Sequence, residues 1–291
     1  MKIECVFKTD SIIGEGPIWH PDEKVLYWVD IAGKKIHSYD PRSKHHKNYL
    51  LPEIVTSLAL RKKGGFVLTL RNQFVFFNPK NLKITPIAQV ETNLPENRFN
   101  DGKCDRFGRF WAGTMNGVHW KDPSGSLYCL SPSGKLDARL KEAICLNGLG
   151  WSPDNRTMYV TESFRYAIFA YDFDGSSREL SNKRVFVSIP EESGGFPDGL
   201  TIDSEGYVWS AQTGTGQVIR FHPNGSIDQV IQFPVLRTTS CTFGGDHLDI
   251  LYVTSARETM SPLEIEKYPL AGSLFSVKTS VKGLPEPFFL G

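Results

Sequence analysis

The chain has 291 residues, of which 40% are hydrophobic and 22% are charged, a composition typical of a globular protein that buries a sizeable core. Its 33 basic residues nearly balance its 32 acidic residues, which argues against a surface that binds nucleic acid or anionic membranes. The sequence contains no apolar run of about 18 residues and no signal-peptide pattern, so we expect a cytoplasmic protein without a membrane span.

Short β-branched and aromatic runs are separated by Gly, Pro, Asn and Asp along the whole chain, and helical periodicity is nearly absent. This pattern predicts an all-β protein. The first run, IECVF, alternates like a strand and stands alone. A hairpin pattern of strand, turn and strand then occurs six times in chain order: GPIWHPDEKVLYWVDI, SLALRKKGGFVLTL, DGKCDRFGRFWAGT, NGLGWSPDNRTMYVTES, DGLTIDSEGYVWSAQ and SCTFGGDHLDILYVTSA.

The six hairpins recur at a nearly regular spacing. Successive anchors are separated by 42, 44, 46, 51 and 42 residues, the anchors being Gly16, Leu58, Gly102, Gly148, Gly199 and Cys241. A third strand follows each hairpin: KIHSYDP, QFVFFNP, GSLYCL, AIFAYDF, QVIRFHP and GSLFSV. A fourth follows in most units, as in KNYLL, ITPIAQ, RVFVSI and QVIQF. Four strands per unit at this period predict a six-bladed β-propeller with four-stranded antiparallel blades.

The two ends of the chain complete the predicted ring. The last unit has no evident fourth strand after Phe275, and we expect IECVF to supply it. Pairing the N-terminal strand with the last unit closes the ring and removes exposed sheet edges. A two-sheet sandwich is the alternative fold, but it gives no reason for six similar units. Because no linker interrupts the pattern, we interpret residues 1–291 as a single domain.

Polar residues stand just before the first strand of four units. They are Glu15, Asn100 with Asp101, Asn147 and Asp198. Since the first strand of each blade lines the central channel of a propeller, we expect these side chains to meet at one mouth. An all-oxygen set of this kind suits Ca²⁺, Mg²⁺ or Mn²⁺ and also admits a catalytic zinc. The alternative is a ring of polar turns without a metal.

Asp198 illustrates the choice between these interpretations. It lies in FPDGLTI between Pro197 and Gly199, where a tight turn is the simplest explanation, because Pro presets φ and Gly accepts positive φ. The recurrence of polar residues at equivalent positions favours a functional carboxylate that the turn presents to the channel. We therefore expect Asp198 to be both a turn residue and a site residue.

The cysteines do not indicate a separate site. There are five, widely spaced and without a C-x-x-C pair: Cys5, Cys104, Cys129, Cys145 and Cys241. Neither a disulfide framework nor a structural zinc site is predicted, and a reducing compartment fits this usage.

Five stretches together resemble the family of senescence marker protein-30 (regucalcin), gluconolactonase and the insect luciferin-regenerating enzymes. They are IIGEGPIWHPDEKVLYWVDI, RFNDGKCDRFGRFWAGTM, LNGLGWSPDNRTMYVTES, FPDGLTIDSEGYVWSAQ and LYVTSA. The resemblance extends from about Ser11 to the C-terminus, and the order and spacing of the units are kept.

The resemblance implies a six-bladed propeller with one divalent metal ion, Ca, Zn, Mn or Mg, at the mouth of the channel. The family's metal ligands fall on Glu15 in GEGP, Asn147 in LNGLGWSPD and Asp198 in PDGL. Its sugar-lactone contacts fall on Arg98 and Asn100 in NRFND, with Asp101 beside them. The Asp of PDGL also serves as the general acid/base in the family, which assigns that role to Asp198.

One loop departs from the family pattern. After GTM, animal regucalcins of this family have a longer loop with a Glu that touches the sugar, whereas this chain has NGVHWKDPSGSLY without a Glu. His119 and Trp120 either occupy part of that space or pack on the blade. This difference in the loop bears on which substrate binds more than on whether a metal binds. Glu162, Arg165 and Tyr166 are further candidates for the mouth, without a role that the pattern fixes.

The expected function is a metal-dependent hydrolase of a sugar lactone such as gluconolactone, in which Asp198 moves the proton of the attacking water. Two alternatives remain: a regucalcin-like calcium-binding regulatory protein, and a hydrolase of a non-sugar ester of the luciferin-regenerating type. The expected partner is a small molecule, with neither nucleic acid nor membrane, and the absence of a long apolar surface stretch favours a monomer.

Overall fold

Six four-stranded antiparallel sheets make up the computed structural model, which describes residues 2–291. The innermost strands of consecutive sheets contact one another in chain order, and the last contacts the first, so the sheets form a closed ring around a central channel. The predicted six-bladed β-propeller is confirmed, and a two-sheet sandwich is excluded.

Each blade is written from its innermost strand outward. Blade 1 contains β2 (Gly14–His20), β3 (Val25–Asp30), β4 (Lys35–Asp40) and β5 (His45–Leu50). Blade 2 contains β6 (Val55–Leu60), β7 (Phe66–Leu70), β8 (Gln73–Asn78) and β9 (Lys83–Gln89). Blade 3 contains β10 (Asn97–Cys104), β11 (Phe110–Asn116), β12 (Gly125–Leu130) and β13 (Leu136–Ala143).

The remaining blades continue this order. Blade 4 contains β14 (Leu146–Trp151), β15 (Thr157–Glu162), β16 (Ala167–Asp174) and β17 (Glu179–Ser188). Blade 5 contains β18 (Phe196–Ile202), β19 (Val208–Thr213), β20 (Gln217–Phe221) and β21 (Ile227–Gln232). Blade 6 contains β22 (Thr238–Gly244), β23 (Ile250–Ser255), β24 (Leu274–Lys278) and, as its outermost strand, β1 (Ile3–Phe7). The predicted closure of the ring by IECVF is therefore confirmed.

Helical structure is limited to three short segments in the described part of the chain. They are two 3₁₀ turns, Ser163–Arg165 and Glu191–Ser193, and the helix α1 (Pro262–Lys267). Ser261 caps α1 with a reciprocal capping box to Glu264, which explains why a helix begins there. None of these segments has the length and apolar character that crossing a bilayer requires.

The innermost strands pack so closely that some positions accept only glycine. A Cβ atom on Gly199 would lie 2.1 Å from the Ser240 Oγ of the neighbouring blade, and one on Gly148 would lie 2.6 Å from the Asp198 carbonyl oxygen. The expectation that Gly199 supplies a positive φ for a tight turn was wrong, because it is absent from the residues with positive φ. Gly199 is needed for close approach between blades.

Bulges interrupt the innermost strands at the polar positions. The pairing register shifts between Glu15 and Ile18, between Phe99 and Gly102, between Asn147 and Leu149, and between Pro197 and Leu200. Asp198 therefore lies within β18 at a bulge, and its predicted place in a turn before the strand was wrong. A bulge redirects a side chain without ending the strand, so it presents the carboxylate on a rigid element.

Candidate functional site

One mouth of the central channel opens into a pocket of about 110 Å³. Its walls come from five blades, since blade 2 contributes no lining residue. The lining residues are Ile13, Glu15, Ile31, Arg98, Asn100, Met115, Trp120, Cys145, Asn147, Phe164, Phe196, Asp198, Thr213, Arg237, Thr239, Ala256 and Glu258. Charged, amide and aromatic side chains thus share a single cavity.

The structure brings the three predicted metal ligands together at this mouth. Glu15, Asn147 and Asp198 come from blades 1, 4 and 5, and all three are buried. Asn147 Oδ1 and Asp198 Oδ1 are buried oxygens without a hydrogen-bond partner among the described residues. Because an unpaired buried acceptor costs about 1–3 kcal/mol, two such atoms on residues that line one pocket are what a ligand-binding site presents.

Neighbouring hydroxyl groups fix the orientation of these side chains. Thr213 Oγ1 donates to Asp198 Oδ2 over 2.8 Å, which leaves Oδ1 free. Asn147 Nδ2 donates to Ser163 Oγ over 3.0 Å, and the Ser163 hydroxyl donates onward to the Pro197 carbonyl over 2.8 Å. The amide of Asn147 therefore has its nitrogen engaged and its oxygen directed to the mouth. Sequence reasoning missed Thr213 and Ser163.

The two carboxylates at the mouth are destabilised by burial. Burial raises the pKa of Asp198 to about 7, against the opposing effect of the Thr213 hydrogen bond. Burial also raises the pKa of Glu15 well above its usual range, and the negative charges of Asp198 and Asp101 add to the effect. A nearby cation would favour the ionised form of both groups and reverse these shifts.

The donor set fits a hard divalent cation. It consists of two carboxylates and one amide oxygen, with the Asn147 and Asp198 oxygens unpartnered. Throughout residues 2–291 no group of three His, Cys, Asp or Glu side chains is arranged to hold a metal ion, so the amide oxygen of Asn147 would be required as the third ligand. Oxygen donors of this type suit Ca²⁺, Mg²⁺ or Mn²⁺, and three protein ligands leave positions for water and substrate.

Arg98 and Asn100 lie together on the blade 3 side of the pocket. Arg98 Nη1 donates to the Phe99 carbonyl and to Asn100 Oδ1, both over 2.9 Å. Asn100 Nδ2 donates to the Leu146 carbonyl over 3.0 Å. The amide of Asn100 is thus held from both ends, whereas Nε and Nη2 of Arg98 have no hydrogen-bond partner in the described chain.

Asp101 lies apart from its neighbour Asn100. It lines a second cavity deeper in the channel, together with Gly16, Lys103 and Ser240, and does not line the mouth. Its carboxylate accepts a hydrogen bond from Gly102 N over 2.7 Å, and burial raises its pKa to about 6. The structure therefore places Asp101 below the pocket, where it acts on Glu15 and Asp198 through its charge.

Three aromatic rings form one wall of the pocket, here called the aromatic wall: Trp120, Phe164 and Phe196. Trp120 stacks on Phe164 at 6.1 Å between ring centroids, and Phe164 meets Phe196 at 5.3 Å. Trp120 of the shortened loop thus occupies space at the mouth, while His119 does not line it.

Three further candidates lie outside the pocket lining: Glu162, Arg165 and Tyr166. Glu162 is held by ion pairs with Arg165 and Lys183, at 2.7 and 3.0 Å. Tyr166 donates its hydroxyl to Glu191. All three side chains therefore have partners within the chain and none lines the mouth.

Two charged residues that sequence reasoning did not single out line the mouth on the blade 6 side. Arg237 directly precedes β22, and Glu258 follows β23. Neither residue stands at a position where polar residues recur from unit to unit. In the sequence they are marked only by their charge, next to an innermost strand for Arg237 and next to a second strand for Glu258.

The family model described as SMP-30/Gluconolactonase/LRE-like region matches residues 13–257. Rabbit (Oryctolagus cuniculus) regucalcin is 37% identical over 299 residues, covering 100% of this chain and 99% of the relative. A 6-deoxy-6-sulfogluconolactonase from Pseudomonas putida is 34% identical over 292 residues, covering 99% of both chains. The crystal structure of a calcium-binding protein, regucalcin, from Agrobacterium tumefaciens superposes with a TM-score of 0.93 at 27% identity, covering 98% of this chain and 96% of that chain.

Proposed function

The chain belongs to the SMP-30/gluconolactonase/LRE-like family, and on that premise we propose that it is a metal-dependent lactone hydrolase. The proposed reaction is the opening of a sugar lactone, an aldono-1,4- or 1,5-lactone such as gluconolactone, by attack of water on the ester carbonyl. This assigns the protein to the hydrolases of carboxylic ester bonds. A lactonase among its relatives, 34% identical over nearly the whole chain, supports the assignment.

The unpartnered oxygens of Asn147 and Asp198, beside the carboxylate of Glu15, are the observation that carries the proposal. A fold gains nothing from burying acceptors without donors, so their arrangement is explained by a bound cation and substrate. Glu15, Asn147 and Asp198 would hold one divalent ion. When bound, such an ion supplies Lewis-acid polarisation of a carbonyl and lowers the pKa of a bound water.

Asp198 is the proposed general acid/base. Its Oδ1 is unpartnered and is the oxygen offered to the ion, whereas Oδ2 accepts from Thr213, whose single hydroxyl hydrogen can turn to the Thr238 carbonyl at the same 2.8 Å and leave Oδ2 free to accept a proton. We assign to this oxygen the acceptance of a proton from the attacking water and its return to the departing ring oxygen. Positioned proton transfer of this kind contributes about 10²–10⁴-fold to a rate.

Arg98 and Asn100 are the proposed substrate contacts on the blade 3 side. Because Asn100 is held at both ends of its amide, it keeps Arg98 Nη1 in place, and the remaining donors of Arg98 make no hydrogen bond to a described residue. A guanidinium in this position binds a sugar hydroxyl or the developing oxyanion. Asp101 tunes the charge of the carboxylates from below, and we do not assign it a substrate contact.

The decisive experiment is a pH-indicator hydrolysis assay over a panel of sugar and non-sugar lactones. It uses chelated protein to which Ca²⁺, Mg²⁺, Mn²⁺ and Zn²⁺ are restored in turn. We expect hydrolysis of an aldonolactone that depends on the restored ion. The Asp198→Asn variant should lose about 1,000-fold in kcat/KM with its fold retained. Asp246→Asn, an exposed acid paired with Lys24, is the matched control and should keep full activity.

Retention of activity by Asp198→Asn, or hydrolysis that survives chelation, would contradict this mechanism. A second candidate, a calcium-binding regulator, draws on the calcium-binding protein from Agrobacterium tumefaciens with the same fold. Submicromolar Ca²⁺ affinity without turnover of any lactone would favour it. Turnover restricted to non-sugar esters would instead favour a hydrolase of the luciferin-regenerating type, whose substrate the aromatic wall would contact.

A further inference from the structure

We propose that Arg237 and Glu258 form a recognition pair that selects lactones with a neutral, hydroxyl-bearing side chain. This inference rests on the proposed lactonase function. It assigns protein contacts to the part of the substrate that the metal ligands do not reach. Both residues line the mouth, and no role has been given to either in the reaction.

Arg237 is distinguished from the other shielded arginines by its lack of partners. Arg109 and Arg220 bind buried aspartates, and Arg61, Arg98, Arg139, Arg178 and Arg257 also have hydrogen bonds or ion pairs. The Arg237 guanidinium has none within residues 2–291, although it is only partly exposed. Its backbone is fixed, since Ala256 N donates to the Arg237 carbonyl over 3.0 Å and the backbone of Arg237 forms an isolated β-bridge with that of Thr213. An unpaired guanidinium that projects into a pocket from a fixed backbone is a site for a ligand oxygen.

Glu258 is held in the same way on the adjoining segment. Its backbone N–H donates to the Ile12 carbonyl over 2.9 Å, while its carboxylate accepts no hydrogen bond from a described residue. Arg98 and Arg237 both face it closely enough for their charges to act on it. Neither arginine comes within the 4.0 Å of an ion pair, so the acid and the bases remain separately available to a ligand.

The chemistry of the pair favours hydroxyl groups over other substituents. A hydroxyl both donates and accepts, so a single hydroxyl satisfies a carboxylate and a guanidinium together. An anionic substituent would be opposed by the Glu258 charge, and an apolar one would leave both charged groups unpaired, which is costly. Glu264 also acts on Arg237, but it is exposed and bonded to Ser261, so solvent screens its charge.

The position of the pair suits the exocyclic chain of an aldonolactone. Arg237 and Glu258 come from blade 6, whereas Asn147 and Phe164 come from blade 4 and Trp120 from the loop of blade 3. A lactone ring at the metal ligands, with its carbon face toward the aromatic wall, would direct its hydroxylated side chain to the blade 6 side. The pair therefore supplies the polar contacts that the shortened loop of blade 3 does not.

The test measures kcat/KM for Arg237→Met and Glu258→Gln with two lactones of the same ring size, glucono-1,5-lactone and unsubstituted δ-valerolactone. On the hydroxylated lactone we expect Arg237→Met, which removes the charged donor, to lose about 10- to 100-fold, and Glu258→Gln, which keeps a weaker neutral acceptor, to lose about 10-fold. Both variants should change less than about twofold on δ-valerolactone. Arg257→Met is the matched control, since this neighbouring arginine pairs with Asp10 at 3.2 Å. It should leave both values unchanged.

Equal losses on the two lactones, or no loss on the hydroxylated one, would overturn the proposal. A third substrate, an aldonolactone with a terminal carboxylate, distinguishes an anion site: if the wild-type protein prefers it and only Arg237→Met removes that preference, neutral recognition is wrong. Calorimetric titration with D-glucitol separates this inference from the proposed function. A wild-type protein that hydrolyses no lactone refutes the function, whereas glucitol binding that Arg237→Met and Glu258→Gln leave unchanged refutes the pair.

Discussion

Two regions of this propeller differ in how completely their buried carboxylates and amides are paired. Within blade 5, Asp203 accepts from the Glu205 and Tyr207 amides on one oxygen and from the Trp209 indole and Arg220 on the other. At the channel mouth, Asn147 and Asp198 each keep one buried oxygen with no partner.

The same chemistry recurs in blade 3, which shows that the paired arrangement belongs to the fold. Asp105 accepts from the Phe107 and Arg109 amides on one oxygen and from Arg109 Nε and Trp111 Nε1 on the other. An aspartate whose two oxygens are fully hydrogen-bonded within its own blade links the turn before the second strand to a tryptophan on that strand. Among the described residues, Asp198 Oδ1 is the one carboxylate oxygen that is buried without a partner, and an acid with such an open oxygen is held ready for a ligand.

Breaking the saturated network should have the largest effect on stability. Asp203→Ala would leave the buried Trp209 indole without an acceptor and would remove a buried partner of Arg220, so we expect a loss of about 3–5 kcal/mol in the free energy of unfolding. Urea denaturation measures it. Asp228→Ala removes a more exposed partner of the same arginine and should cost less than about 1 kcal/mol. Similar losses for the two variants would contradict the contrast.

Replacing the Asp198 carboxylate by a neutral group should increase the free energy of unfolding, rather than decrease it, when no metal is bound. Burial raises the pKa of Asp198 to about 7 from the ordinary value of 3.8, so the folded state binds more protons than the unfolded state between these values. The free energy of unfolding of chelated protein should therefore fall as pH rises from about 4 to about 7. Asp198→Asn should remove part of this fall and stabilise the chelated protein at pH 8 by about 2 kcal/mol.

Thermal unfolding in chelator at pH 5 and pH 8 tests this prediction. Addition of the metal should reverse the order at pH 8, because only the wild-type carboxylate gains from the cation. A variant less stable than the wild type at pH 8 in chelator would show that Asp198 contributes to folding as Asp203 does.

Loosening an orienting contact should have the smallest effect. Ser163→Ala removes the hydroxyl that holds the Asn147 amide nitrogen, so the amide oxygen is no longer fixed toward the mouth. We expect metal affinity measured by calorimetry to fall about 10-fold with little change in stability. Ser38→Ala, which removes a hydroxyl directed to the Lys47 carbonyl of blade 1, is the control. Unchanged affinity in Ser163→Ala would mean that the open oxygen of Asn147 is positioned by the strand alone.

Much of the fold could be predicted from the sequence, because the six blades arise from local patterns along the chain. Turn residues and alternating strands repeat six times, and this period is sufficient to predict six blades and to assign IECVF to the last one. Blade 3 was predicted less completely, because its fourth strand, Leu136–Ala143, carries charged residues throughout and was not identified from the sequence. Its solvent-facing edge position tolerates that composition, so burial leaves no signal there.

The candidate site divides in the same way. Glu15, Asn147 and Asp198 stand at equivalent points of a repeat and within recognisable motifs, so sequence alone selected them and identified the family. The separation of Asn100 from Asp101, the open oxygens, and the arrival of Arg237, Glu258 and Trp120 at the mouth were decided only by the tertiary structure. The physical reason is that strand period and turn chemistry act between near neighbours along the chain. The directions of side chains at bulges, and the meeting of five blades around one channel, depend on closure of the ring.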